Sequence, residues 1–268
     1  MRDAAAWFLA FALLVAGALT PSPGAAAPWL AVEPGLLKLA GRHVKWGQPS
    51  YGSGALVTYA YVTRPHVDPA ARNCREMLPL DPMIEAMGID MARFDLEIRA
   101  AFRVWSDAAA VRFRQVASMD EADILIGVQA GDRGVAFANV AEQESDGAIA
   151  RISHSAVCFD ASERWEMAAD GRKDTYRLRY VAAHEIGHAV GLDHIGRKGG
   201  LMGFGYDGAN EHSLTLSAAD RAAIARLYGP PASAAIAATG EPGPSCILAA
   251  TGPAPQGCGE AGPVQDGR

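Results

Sequence analysis

Between Asp90 and Asp107, the apolar residues Met91, Phe94, Ile98, Ala101, Phe102 and Trp105 recur three and four positions apart. That period winds one apolar stripe around a long helix, and the stripe reads as core. Residues 56–63 alternate and are rich in Val, Thr and Tyr, the pattern of a half-buried strand. Residues 111–116 predict a second strand. Residues 123–128 are more continuously apolar, as a strand covered on both faces should be. Residues 135–140 predict an edge strand and residues 150–159 another strand. A further helix is expected from about Asp174 or Thr175, either of which can cap it. Leu178, Val181, Ala182, Ile186 and Ala189 give it a buried side. Ser217 and Asp220 resemble a capping box with Asp in place of Glu. They start a last helix that turns Ile224 and Leu227 inward and stops at Gly229-Pro230. Residues 64–89 form an insertion with several prolines, in which Asp81-Pro82 can cap and open a short helix. This order predicts an α+β fold: a twisted mixed β-sheet with a long first helix, a second helix packed beside it and a C-terminal helix.

The flanks have a different character. Residues 7–19 are an apolar run of thirteen, too short to span a bilayer, preceded by Arg2 and followed by Pro21, Pro23 and small residues. Residues 1–27 therefore read as a signal peptide cut after Ala26, with no stable membrane insertion once it is removed. The mature chain is expected to be secreted or periplasmic. Residues 28–54, with Gly, Pro, Trp29 and Trp46, read as an N-terminal arm, residues 55–229 as the main domain, and residues 230–268 as a low-complexity Ala/Gly/Pro tail. The whole chain of 268 residues carries a formal charge of −6, which argues against nucleic acid as a partner. Its four cysteines, Cys74, Cys158, Cys246 and Cys258, allow three disulfide pairings. Cys246 with Cys258 would staple the tail; Cys74 with Cys158 would tie the insertion to the core.

The chemistry gathers in residues 184–194, which read HExxHxxGxxH. His184 and His188 are four apart, so on a helix both imidazoles project from one face, at a separation that suits one small cation. Glu185 stands one step round the helix, beside that ion, where a base for water belongs. Gly191 can adopt the positive φ that ends a helix, which lets the chain turn and bring His194 back as a third ligand. Three neutral nitrogens that leave a fourth corner open are the pattern of a catalytic zinc, not a structural one.

Four stretches resemble the matrixins, a branch of the metzincin zinc metalloproteases. Residues 101–106 resemble the matrixin first helix and residues 122–126 its central strand. The histidine motif, with Met202 eight residues beyond His194, is the third. Residues 214–229, ending Leu227-Tyr228-Gly229, resemble the closing helix. The resemblance covers residues 45–229. Ile195 after His194 departs from the Glu of astacins and the Asp of adamalysins. The resemblance implies Zn2+ on His184, His188 and His194, Glu185 as general base, and a protein or peptide substrate cut at internal peptide bonds. It makes Met202 the floor under the histidines and Tyr206 part of the primary specificity pocket, although Phe204 replaces the usual proline. Asp160 and Glu163 match calcium-binding acids of relatives, so Ca2+ is a second candidate ion. Cys158 stands where relatives have a His, and residues 137–139 lack another, so a second, structural zinc is not expected. His154 reads as a hydrogen-bonded surface histidine. The sequence around Cys74 does not resemble the inhibitory propeptide motif of related proteases. The alternative is a catalytically inactive relative that binds a peptide or partner. Glu185 argues against it, because a binding module needs no base.

Overall fold

A computed structural model describes residues 35–131, 134–167, 175–196, 200–204 and 214–231. The expected signal peptide and tail, Cys246, Cys258 and Tyr206 lie outside these residues. Strands β1 (Lys38–Leu39), β2 (Arg42–Lys45), β3 (Ala55–Tyr61), β4 (His66–Val67) and β5 (Glu76–Leu78) come first. Helices α1 (Asp81–Ala86) and α2 (Met91–Ser106) follow, then β6 (Val111–Gln115), β7 (Ile124–Gln129), β8 (Ala136–Glu142) and β9 (Ile149–Phe159). The short pair β10 (Trp165–Glu166) and β11 (Tyr176–Arg177) leads into α3 (Leu178–Ala189), and α4 (Ala218–Tyr228) ends the described fold. The main sheet runs β1-β2-β9-β7-β3-β6, with β8 on β9 and the β4–β5 hairpin on β7. Strands β3, β6, β7 and β9 pair in parallel, whereas β8 lies antiparallel to β9. The sheet is therefore mixed, and the fold is α+β.

The helices form where the sequence supplies caps and one apolar face. Asp90 accepts a hydrogen bond from Arg93 N–H and starts α2, which buries Phe94, Ile98, Ala101, Phe102 and Trp105. Met91, expected on that stripe, is 41% exposed at the first residue of the helix. Glu97 sits on the buried side instead, fully covered and bonded at 2.7 Å to Arg179 of α3. Trp105 donates its indole N–H to Ala183 O, which locks α2 against α3. In α4, Ser217 and Asp220 cap each other reciprocally. Helix α3 starts at Leu178 after the short strand β11, three or four residues later than the Asp174 or Thr175 expected, and no side chain caps it. In α1 the cap position is Leu80 and Asp81 is already helical, so only the proline part of that expectation applies.

Two segments read as peripheral join the sheet. Within the N-terminal arm, β2 pairs in parallel with β9. Lys45 on β2 is fully buried; its ammonium donates to Trp46 O (2.8 Å), Gln48 O (2.6 Å) and Ser53 Oγ (3.0 Å) and lies 5.0 Å from the centre of the Tyr228 ring. Within the insertion, β5 pairs antiparallel with β7, and Cys74 forms a disulfide with Cys158. A small apolar cluster of Val62, Met77, Met119 and Ala156 packs around that bridge. Among the described residues no helix is long and apolar enough to cross a membrane.

Candidate active site

Helix α3 carries the motif and is buried nearly all round: Leu178, Tyr180, Val181, Ala182, Ala183, Ile186 and Ala189 are within 1% of full burial. It is held from all sides, so its polar residues keep fixed directions. His184 donates Nδ1–H to Leu201 O at 2.7 Å, and His188 donates Nδ1–H to Leu192 O at 2.8 Å. A carbonyl can only accept, so each Nδ1 carries the proton and each Nε2 presents a lone pair. The two Nε2 atoms lie 3.2 Å apart. Two nitrogens about 2.05 Å from one tetrahedral zinc would be separated by about 3.3 Å, so the pair fits that ion. His194 completes the group: one ligand atom from each of the three histidines lies within 4.8 Å of the others. Burial lowers the pKa of His184 to about 3 and of His188 to about 4, and it lowers that of His194 as well. All three imidazoles are thus held in the neutral form that binds metal.

His194 reaches the group because α3 stops sharply. Gly191 has φ 98°, and a Cβ there would overlap the Val44 carbonyl oxygen. Only glycine fits both demands. The turn is then clamped by the N-terminal segment. Leu37 N–H donates to Gly191 O at 2.9 Å, and Asp193 N–H donates to Gly35 O at 2.9 Å. Trp46 Nε1–H donates to Ala189 O, and the Tyr228 hydroxyl donates to Val190 O while accepting from Trp46 N–H. Residues 35–46 thereby brace the end of α3, a role their composition did not announce.

Below the histidines lies Met202, fully buried. A Cβ on Gly187 would overlap its sulfur and come within 2.7 Å of Trp105, so helix and methionine meet at a glycine. Asp220 of α4, itself fully buried, accepts from Leu201 N–H at 2.9 Å and Met202 N–H at 3.3 Å. Phe204 is 70% exposed and stands edge-on to His194, with ring centres 4.8 Å apart.

A cleft of about 400 Å³ opens over the histidines. Glu185, 4% exposed, lines it together with His184, His188 and His194. One wall is strand β8, which pairs only with β9 and leaves its other edge without a strand partner among the described residues. Leu37 and Leu39 form an apolar wall, and Arg72 and Asn73 of the insertion stand at the rim.

The remaining candidates lie elsewhere. Asp160 is buried and accepts from Ser162 N–H, Ser162 Oγ and Gln129 Nε2. Neither Asp160 nor Glu163 belongs to a group of three or more potential ligands; among the described residues the histidine triad is the only such group. His154 pairs with Asp68 at 3.1 Å on the surface. The bracing segment, Arg72 and the hold of Asp220 on Leu201 and Met202 escaped the sequence reading, which saw Asp220 only as part of a helix cap. Their partners lie far along the chain, so no local spacing marks them.

Comparison with known proteins gives a consistent picture. The profile of one family, described as matrixin, matches residues 83–229, just over half the chain. Macrophage metalloelastase of Rattus norvegicus is 33% identical over 153 residues, 53% of this chain and 30% of that protein. Matrilysin of Rattus norvegicus is 32% identical over 151 residues, 52% of this chain and 53% of that protein. Metalloendoproteinase 1-MMP of Arabidopsis thaliana is 31% identical over 143 residues, 49% of this chain and 37% of that protein. The matched region spans about half or less of the length of these relatives.

Proposed function

The chain belongs to the matrixin family, and from that membership we propose that it is an exported zinc endopeptidase that cuts internal peptide bonds. The observation that carries the proposal is the convergence of three neutral imidazoles at one point, in a cleft that Glu185 also lines. His184, His188 and His194 would hold the ion. Zinc, when bound, supplies a water acidified to a pKa of about 7 and a positive charge for a developing oxyanion. Glu185 removes the proton from the attacking water and returns it to the leaving amine. A carboxylate serves because it can hold that proton between the two steps. The free edge of β8 can pair with an extended substrate by strand addition, which aligns a peptide bond over the histidines. Met202 acts by packing: it fills the space under Gly187 and fixes the level of α3. Gly191 acts by letting the chain turn toward His194.

Export is supported by two independent features. Residues 1–27 have the pattern of a signal peptide, and the Cys74–Cys158 bridge suits an oxidising compartment. Asp160 and Glu163 enter no step; Ca2+ bound at the Asp160 turn would act on stability, not on the reaction. The purified protein, incubated with a mixed peptide library, should make internal cuts that a chelator stops and added zinc restores. Stoichiometric zinc without cuts would overturn the peptidase proposal and favour the peptide-binding alternative.

A further inference from the structure

We infer that Arg72 reads an acidic side chain of the substrate, so that this cleft selects peptides with Asp or Glu at one fixed position near the cut. The inference rests on the peptidase reading and names a substrate class for it.

Arg72 belongs to the insertion between β3 and α1, and the insertion is built onto the cleft at three successive residues. Arg72 N–H donates to Asn139 Oδ1 at 3.1 Å, Asn73 Nδ2 donates to Ala138 O at 3.1 Å, and Cys74 is bonded to Cys158 of β9. Asn139 and Ala138 lie on β8, the strand that walls the cleft. The backbone that carries Arg72 is therefore fixed, although its side chain is exposed. Arg72 lines the same cleft as Glu185 and the histidines.

The charges around it leave this cation over. Arg42 is paired with Glu142, Arg64 with Asp120, and Arg75 donates to Pro69 O. Among the described residues the Arg72 guanidinium has no ion pair or hydrogen bond of its own. Of the nearby carboxylates, Asp68 binds His154 and Ala70 N–H, and Asp193 accepts from His194 N–H. A planar fork of donors at the rim of a peptide cleft matches a carboxylate with two parallel hydrogen bonds. In an extended peptide along β8, side chains alternate between faces, so one substrate position faces the loop and the next does not.

The test compares peptide series that differ only by Glu, Gln or Lys at each position around the cut. The wild type should favour Glu over Gln at one position by roughly five- to tenfold in kcat/KM, mostly through KM, a range set by a partly exposed ion pair. The preference should shrink as salt is raised. Arg72→Ala should abolish it, Arg72→Lys should keep part of it, and Arg72→Glu should turn it toward Lys. Arg75→Ala, next along the loop but bonded to Pro69 O, should leave it intact. Thermal melting of each variant separates a folding defect from a change in selectivity. Cutting by the wild type without an acid preference, or a preference that survives Arg72→Glu, overturns this inference alone. A wild type that cuts no peptide overturns the peptidase reading, and this inference falls with it.

Discussion

Asp220 and His184 are joined through a single residue. The Asp220 carboxylate accepts the N–H of Leu201, and the carbonyl of Leu201 accepts Nδ1–H of His184. The last helix thereby sets the rotation of an imidazole on α3. Asp220→Ala should leave the backbone N–H groups of Leu201, Met202 and Ser217 without their acceptor and cost about 3 kcal/mol in stability. Zinc affinity, read by competition with a chelator at a temperature where the variant is folded, should fall by roughly ten- to a hundredfold, as for other residues that orient ligands. Unchanged affinity would mean that Leu201 holds His184 without help from Asp220.

Glu185→Gln keeps shape and burial but cannot carry a proton. Turnover should drop to background while one zinc per chain remains bound, measured by metal analysis alongside peptide cleavage. Cleavage at the parent rate would remove Glu185 from the proton path.

Glycines 187 and 191 should fail differently. Gly187→Ala pushes a methyl into Met202 and Trp105, so it should lower the melting temperature through about 1–3 kcal/mol of overpacking. Gly191→Ala meets the Val44 carbonyl and a φ of 98°. It should move His194 and weaken zinc binding more than its stability loss alone explains. Equal zinc affinity in both variants would count against a role for the turn in placing the third ligand.

Burial lowers the pKa of Lys45 to about 8, from 10.5 when unfolded. Between those values the unfolded chain holds a proton that the folded chain has lost, so stability should rise with pH across that window. The limit is about 1.4 kcal/mol per pH unit, and the carbonyls of Trp46 and Gln48 hold the effect below it by favouring the ammonium. Denaturant melts at pH 8 and pH 10 should show the rise in the wild type and not in Lys45→Met. A wild type that follows the variant's pH dependence would place Lys45 at its ordinary value.

The Cys74–Cys158 bridge closes a loop with a sequence separation of 84 residues. In the chain-entropy account that closure is worth about 4.5 kcal/mol at most. The double variant Cys74→Ser, Cys158→Ser should melt well below the wild type under non-reducing conditions, and reductant should lower the wild type to match it. Loss of the bridge without any change in melting would place the insertion's hold in its β5–β7 pairing.

The zinc helix, α2 and the capping box of α4 were legible because each is written over a few residues: a helical period, a fixed histidine spacing, a Ser with an Asp three positions on. The central strands were legible from their apolar runs. What could not be read was written across the chain. Trp46 and Ala189, or Arg72 and Asn139, share no local pattern, and their contact exists only once the sheet has formed. The bond from Arg179 of α3 to the buried Glu97 likewise leaves no mark within α2's own stretch of sequence. The start of α3 was misplaced for a related reason: burial of Leu178 and Tyr180 sets where the helix begins, not a capping side chain. Of the three ways to pair four cysteines, only placement of the insertion against β9 selects the one that joins Cys74 to Cys158.

The clamp between residues 35–46 and the end of α3 also bears on timing. Trp46 meets partners 143 and 182 residues away in sequence, and such distant closures come slowly in folding. A chain still being synthesised, with residue 228 not yet released, has no brace behind its third histidine. For the proposed peptidase, cleaving power would then arise only in the finished molecule, after the first and last parts of the fold have met, and neighbouring nascent chains would be spared until that moment.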